Sequence, residues 1–163
     1  MTPSLKSQAS PVGRNLYTDG AYLDKNPLWH TDGSPFKVQQ ILRMLARMES
    51  KPTTICEVGC GAGEVLRLLQ REVDGGCSFC GYDISPQAIE MCQSRADEKL
   101  QFKLMDIGLD QDAHFDLMLV LDVVEHIEDY FGFLAAIRSK SDFKIFTFHW
   151  ILAFRPSSGN GAY

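Results

Sequence analysis

Glu57-Val58-Gly59-Cys60-Gly61-Ala62-Gly63-Glu64 is the stretch on which the reading of this chain turns. It follows Thr53–Val58, a short apolar and β-branched run that reads as a buried strand. It leads into Glu64–Val73, where Val65, Leu68, Leu69 and Val73 recur at helical spacing. Three alternate glycines between a strand and a helix remove side chains where backbone must approach a ligand closely. The unpaired amides at the helix N-terminus then face that ligand. The dinucleotide fingerprint G-x-G-x-x-G carries its third glycine one place later. Here that place holds Glu64, whose carboxylate would point at a pyrophosphate. Glu57, just before the first glycine, suits a ligand with positive charge instead.

Outward from this loop the pattern alternates. Gly75-Gly76 is a turn and Cys77–Ile84 a second strand. Ser85-Pro86 opens a second helix to about Asp97, with Ala88, Ile89 and Cys92 inward. Leu100–Met105 and Phe115–Leu121 read as strands three and four, Ile127–Arg138 as a helix, and Phe143–Trp150 as strand five. Upstream, Val38, Ile41, Leu42, Leu45 and Met48 mark a helix over Lys37–Glu49, started by Ser34-Pro35 and stopped by Pro52. Strands alternating with helices predict an α/β fold, a doubly wound and mostly parallel sheet with helices on both faces. The expected organisation is a disordered lead-in over 1–15, a lid segment and helix over 16–52, a ligand-binding core over 53–150 and an irregular tail over 151–163.

The composition sets bounds. With 163 residues, 45% hydrophobic and 23% charged, the chain fits one globular domain. A net charge of −5 argues against nucleic acid as the main partner. Met1–Arg14 lacks the apolar run of a secretory signal, and Phe115–Val124 and Phe143–Phe154 fall short of the roughly 20 residues that cross a bilayer. No membrane association is expected. Five cysteines, an odd count, read as reduced thiols in the cytoplasm. Cys77-x-x-Cys80 has metal-like spacing, but Cys56 and Cys60 lie in or beside the glycine loop, and positions i and i+3 of a strand face opposite ways. No metal is expected.

The segment E-V-G-C-G-A-G-E resembles the first motif of the class I S-adenosylmethionine-dependent methyltransferases. The likeness continues through Gly81-Tyr82-Asp83-Ile84-Ser85, Met105-Asp106-Ile107, Phe115-Asp116-Leu117 and Leu121-Asp122-Val123-Val124-Glu125-His126-Ile127, and covers roughly Ile41 to Trp150. It implies a Rossmann-like methyltransferase fold, S-adenosyl-L-methionine as cofactor and a small-molecule acceptor. It implies a cofactor site of Glu57, Gly59, Cys60, Gly61, Gly63, Asp83, Ile84, Asp106, Ile107, Leu121 and Asp122. Asp83 would accept from the ribose hydroxyls, Ile84 and Ile107 would cover the two faces of the adenine, and Asp106 would accept from its exocyclic amine. Leu121 and Asp122 sit at the carboxyl edge of strand four, beside the switch point of such sheets. His126 is a general-base candidate, and a cap or lid role fits it equally. Tyr22, Trp29, His30 and Lys37 are candidates for the lid or acceptor pocket, with plain packing as the other reading.

The family fold has seven strands, the last two an antiparallel hairpin, whereas this sequence turns to loop composition soon after strand five. The sequence therefore predicts a fold without its last helix and hairpin, and an exposed sheet edge open to self-association. Rival readings are a shortened, non-catalytic cofactor-binding domain and a nicotinamide-dependent oxidoreductase. The glycine spacing and Glu64 weigh against the second.

Overall fold

A computed structural model describes residues 33–73 and 75–148. The expectations for the lead-in, for Tyr22, Trp29 and His30, for the tail and for Trp150 lie outside the described residues. Five strands form one sheet: β1 (Thr54–Val58), β2 (Ser78–Asp83), β3 (Leu100–Leu104), β4 (Phe115–Leu121) and β5 (Ser141–Thr147). Every pairing is parallel, in the order β3-β2-β1-β4-β5. The helices are α1 (Ser34–Leu45), α2 (Glu64–Glu72), α3 (Pro86–Cys92) and α4 (Tyr130–Ile137). The chain winds outward from β1 to β3, returns, and winds the other way through β4 and β5. The switch point therefore lies between β1 and β4, and the carboxyl ends of such strands are where ligands of these sheets bind.

Alternation along the strands divides the core between the two faces. Ile55, Phe79, Leu117 and Leu119 pack on one side with Val38, Ile41 and Leu45 of α1 and Val65, Leu66 and Leu69 of α2. Cys56, Val58, Tyr82, Met118 and Val120 pack on the other with Ile107 and Ile137, and with Phe133 and Leu134 of α4. β4 is buried on both faces, as an apolar parallel strand requires. At the amino end of the sheet, Asp116 accepts from the Thr53 and Thr54 amides at 2.6 and 3.0 Å and from Thr53 Oγ1 at 2.8 Å, tying β4 to β1.

Several boundaries differ from the sequence expectation, each for a local reason. α1 ends at Leu45, not Glu49, because Lys51 Nζ donates to the Leu45 carbonyl at 2.6 Å and closes the last turn. Ser34 is the first buried residue of that helix, and its cap position is Gly33. α3 ends at Cys92 and continues as a short 3₁₀ turn, Gln93–Arg95. α4 begins at Tyr130, not Ile127: Asp129 caps it by accepting from the Gly132 amide at 2.9 Å, and Val124–His126 forms a separate 3₁₀ turn. β5 begins at Ser141, in register with Phe115. Cys77 packs in the first core and Cys80 in the second, so the two thiols of the metal-like spacing lie on opposite faces.

Candidate functional site

The glycine loop is built from backbone that other residues adopt with difficulty. Gly59, Gly61 and Gly63 have φ of 67°, 53° and 73°, all left-handed. Space is equally restricted. A Cβ on Gly59 would lie 2.7 Å from Val123 Cγ2, and one on Gly63 would lie 2.6 Å from the Phe102 ring. The loop is laced to β2: the Gly59 and Cys60 amides donate to the Tyr82 carbonyl at 2.8 and 3.1 Å. From α3, the Cys92 thiol donates to the Gly61 carbonyl at 3.0 Å. Cys60 is buried beneath the loop, where the Cys92 thiol and burial both push its own thiol well above the ordinary range.

Asp83 closes the loop from the side. Its Oδ2 accepts from the Gly61 amide at 2.9 Å and its Oδ1 from the Ser85 amide at 2.8 Å. It is 7% exposed. Burial raises its pKa, opposed by the amides of Ser85, Gly61 and Ile84. A carboxylate has about four acceptor positions, so these two bonds leave capacity for a ligand's hydroxyls. The sequence pointed to this residue but not to its second role as the tie that shapes the loop.

Glu57 is the most unusual group in the crevice. It lies on β1 between Gly81 and Leu119, is 4% exposed, and its Oε2 has no hydrogen-bond partner among the described residues. A buried carboxylate oxygen left without a donor is costly. Burial pushes the pKa of Glu57 well above the usual carboxylate range, and the charge of Lys37 pulls the other way. Lys37 Nζ, on α1, pairs with Asp122 Oδ2 at 2.8 Å. Asp122 itself stands at φ 56°, the one non-glycine in left-handed backbone among the described residues. It is held there by Thr147, whose Oγ1 donates to Asp122 Oδ1 at 2.8 Å and whose carbonyl accepts from the Asp122 amide at 3.1 Å. Backbone strain of this kind persists where surroundings enforce it, and it gathers at ligand sites.

The remaining expected site residues divide. Ile84 is 39% exposed at the end of β2, and Leu121 is buried at the end of β4. Asp106 caps the 3₁₀ turn Ile107–Leu109, accepting from the Gly108 amide at 2.9 Å. That turn carries Ile107 into the core, 1% exposed against Met118, Val120 and Ile137, so its side chain does not present a face to the crevice as the sequence implied. Met105, which the sequence reading did not single out, is an exposed apolar residue beside that turn, and its amide donates to the Asp83 carbonyl at 2.9 Å. Its signal was available: it begins the Met105-Asp106-Ile107 motif. Glu64 does not face a ligand freely. It is paired with Arg67 at 2.5 Å and Arg95 at 3.3 Å, and these guanidinium groups hold it below its ordinary range. His126 is exposed on the Val124–His126 turn, rather than opening the next helix.

A doubly wound α/β sheet with a glycine loop and a buried carboxylate at its switch point defines a ligand-binding domain of the Rossmann-like class. Residues 29–142, more than half of the chain, match the family model described as a methyltransferase domain, and the chain belongs to that family. Among curated relatives it is similar to ajmaline N-methyltransferase of Rauvolfia serpentina, 33% identical over 50% of this chain and 30% of that one. It is also similar to the ubiquinone biosynthesis O-methyltransferase of Azorhizobium caulinodans, 34% identical over 52% and 34%. The chain thus matches about a third of the length of these relatives. The fold is shared with the N-methyltransferase NodS of Bradyrhizobium japonicum, solved in complex with S-adenosyl-L-homocysteine: TM-score 0.58, 24% identity, 77% of this chain and 65% of that one. It is shared also with coclaurine N-methyltransferase, TM-score 0.57 at 18% identity, over 67% of this chain and 33% of that one.

Proposed function

We propose that this domain binds S-adenosyl-L-methionine and serves methyl transfer to a small-molecule acceptor. The observation that carries the reading is the orphaned Glu57 oxygen beside a glycine loop in left-handed backbone. A ligand with a cationic amino-acid end satisfies that oxygen, whereas a dinucleotide would bring phosphates towards Glu57, Asp83 and Asp122. Bound there, the cofactor supplies an electrophilic methyl group on a positively charged sulfur. Glu57 and Asp122 would hold its ammonium group. The backbone of Gly59, Cys60, Gly61 and Gly63 would lie against its length, with Leu121 supporting the loop's far wall. Asp83 would accept from the ribose hydroxyls with the capacity its two amide bonds leave. Ile84, Met105 and Asp106 are the residues for the adenine, with Ile107 as the packing beneath them.

The domain's contribution to rate is alignment, which suffices for transfer to a good nucleophile. His126 is the group available for proton removal where the acceptor needs it. The relatives' names support an acceptor of small-molecule class, and they cover both nitrogen and oxygen methylation. All five cysteines are free and buried, which suits a reducing cytoplasmic setting. No helix among the described residues is long and apolar enough to cross a membrane. We assign the cofactor core to residues 53–150 and the β5 edge to self-association.

Calorimetric titration tests the reading. S-adenosylmethionine and S-adenosylhomocysteine are expected to bind and a nicotinamide dinucleotide is not. A folded chain that ignores both sulfur compounds, or prefers the dinucleotide, overturns it.

A further inference from the structure

Two successive peptides of the glycine loop are held differently. The one joining Cys60 to Gly61 is fixed at both ends: its N–H donates to Asp83 Oδ2 at 2.9 Å and its carbonyl accepts from the Gly63 amide at 2.8 Å. The next, joining Gly61 to Ala62, is held by its carbonyl, which accepts from the Cys92 thiol of α3 at 3.0 Å, with the Cys60 thiol 4.0 Å away. Cys92 is fully buried. Like every peptide described, this one is trans, so its N–H points opposite to its carbonyl and hence away from Cys92. That N–H belongs to Ala62, which is 3% exposed, and it has no hydrogen-bond partner among the described residues. A buried N–H without an acceptor is rare and costly. Glycine alone would not hold the orientation, since Gly61 turns freely about its own bonds.

We propose that Cys92 is a positioning residue of the cofactor site: its thiol fixes the Gly61–Ala62 peptide so that the Ala62 amide is presented to an acceptor atom of the bound ligand. The inference rests on the cofactor reading above. It adds to that reading a residue of α3, and a backbone donor that the glycine spacing does not mark. Thiols are weak donors, so the expected change in affinity is modest. The decisive readout is the Ala62 amide itself.

The test compares wild type, Cys92→Ser and Cys92→Ala during titration with S-adenosylhomocysteine, by calorimetry and by the Ala62 amide proton shift. In the wild type, the Ala62 amide proton should move downfield on saturation as it gains an acceptor. Cys92→Ala should bind roughly threefold to tenfold more weakly, as the loss of one neutral hydrogen bond does, and its Ala62 amide should lose most of that shift. Cys92→Ser keeps a donor and should restore the shift, with affinity within about twofold of wild type. Cys92→Val fills the space without a donor. It should behave as Cys92→Ala does, and it takes that variant's place if the alanine chain does not fold.

A wild-type Ala62 amide that stays in place on saturation overturns the proposal, as does wild-type affinity in Cys92→Ala. Binding by Cys92→Ser as weak as that of Cys92→Ala assigns Cys92 to packing and overturns it too. If the wild-type chain binds no S-adenosylhomocysteine at all, the cofactor reading falls and this inference with it. Wild-type binding by calorimetry tells the two failures apart.

Discussion

The two halves of the sheet differ in the carboxylates they bury and the aromatics they expose. The half from β1 to β3 buries polar groups: Glu57 and Asp83 lie inside, and the loop between β1 and α2 is held in left-handed backbone by bonds from β2 and α3. The half formed by β4, α4 and β5 exposes aromatic ones. Tyr130 and Phe131 of α4 are open, their rings in tilted contact at 4.3 Å, and Phe143 of the edge strand β5 is 55% exposed. Buried charge and strained backbone cost stability and are kept where a ligand compensates them. Exposed aromatics and an open strand edge are characteristic of a surface that something else covers. We propose that the contrast separates a ligand-facing half from a partner-facing half of the described sheet, so that each can be altered without the other.

The largest expected effect is in the loop. Gly61→Val places a branched side chain in left-handed backbone, costing about 2–3 kcal/mol of strain, and fills the space a ligand must enter. S-adenosylhomocysteine affinity should drop by at least about a hundredfold, with secondary structure retained by circular dichroism. Normal titration by this variant would remove the loop from the site.

Asp83→Ala comes next. Lost charge-assisted hydrogen bonds of this kind cost about 1.5–3 kcal/mol, or roughly tenfold to a hundredfold in affinity. Because Asp83 also ties the Gly61 amide, the melting temperature should fall as well. Equal affinity in a folded variant would contradict the assignment.

Glu57→Gln should divide stability from function. The folded pKa of Glu57 is raised, so the folded state holds its proton more tightly than the unfolded state does. Its contribution to stability is therefore lost as pH rises from the ordinary carboxylate range through the raised folded value. The amide removes that loss. Glu57→Gln should melt a few degrees higher at neutral pH, at about 2–4 °C per kcal/mol for a chain of this size, and bind S-adenosylhomocysteine more weakly. A lower melting temperature with unchanged affinity would show that the buried charge is structural.

The smallest effect on binding is expected at the far edge. Phe143→Lys should reduce self-association seen by light scattering while changing ligand affinity by less than about twofold, as surface substitutions away from a site do. If association is unchanged, β5 is not the interface. If affinity changes sharply, the two halves are not independent.

Most of the fold was legible because strand and helix periods differ and the turn residues fall between them. Phe115–Leu121 is a strand with the expected bounds, and Ser85 caps α3 as its position suggested. The misplaced boundaries came from single side chains acting across gaps, Lys51 on the Leu45 carbonyl and Asp129 on the Gly132 amide. Of the site, the glycines announced themselves by spacing. What no pattern in the sequence could show was how Lys37, Asp122 and Thr147 meet, since α1, β4 and β5 come together only through the fold. Nor could it show that Ile107, in the turn that Asp106 caps, lies inward.

The central claim is that the ligand lies across the loop side of the sheet and not its far side. Amide chemical shifts followed during titration of the wild-type chain with S-adenosylhomocysteine test this directly. The account predicts saturable shifts at Gly59, Gly61, Gly63, Asp83 and Asp122, and none along Phe131 or Phe143. Shifts confined to α4 and β5, or no saturable shift at the glycine loop of a folded chain, would contradict it.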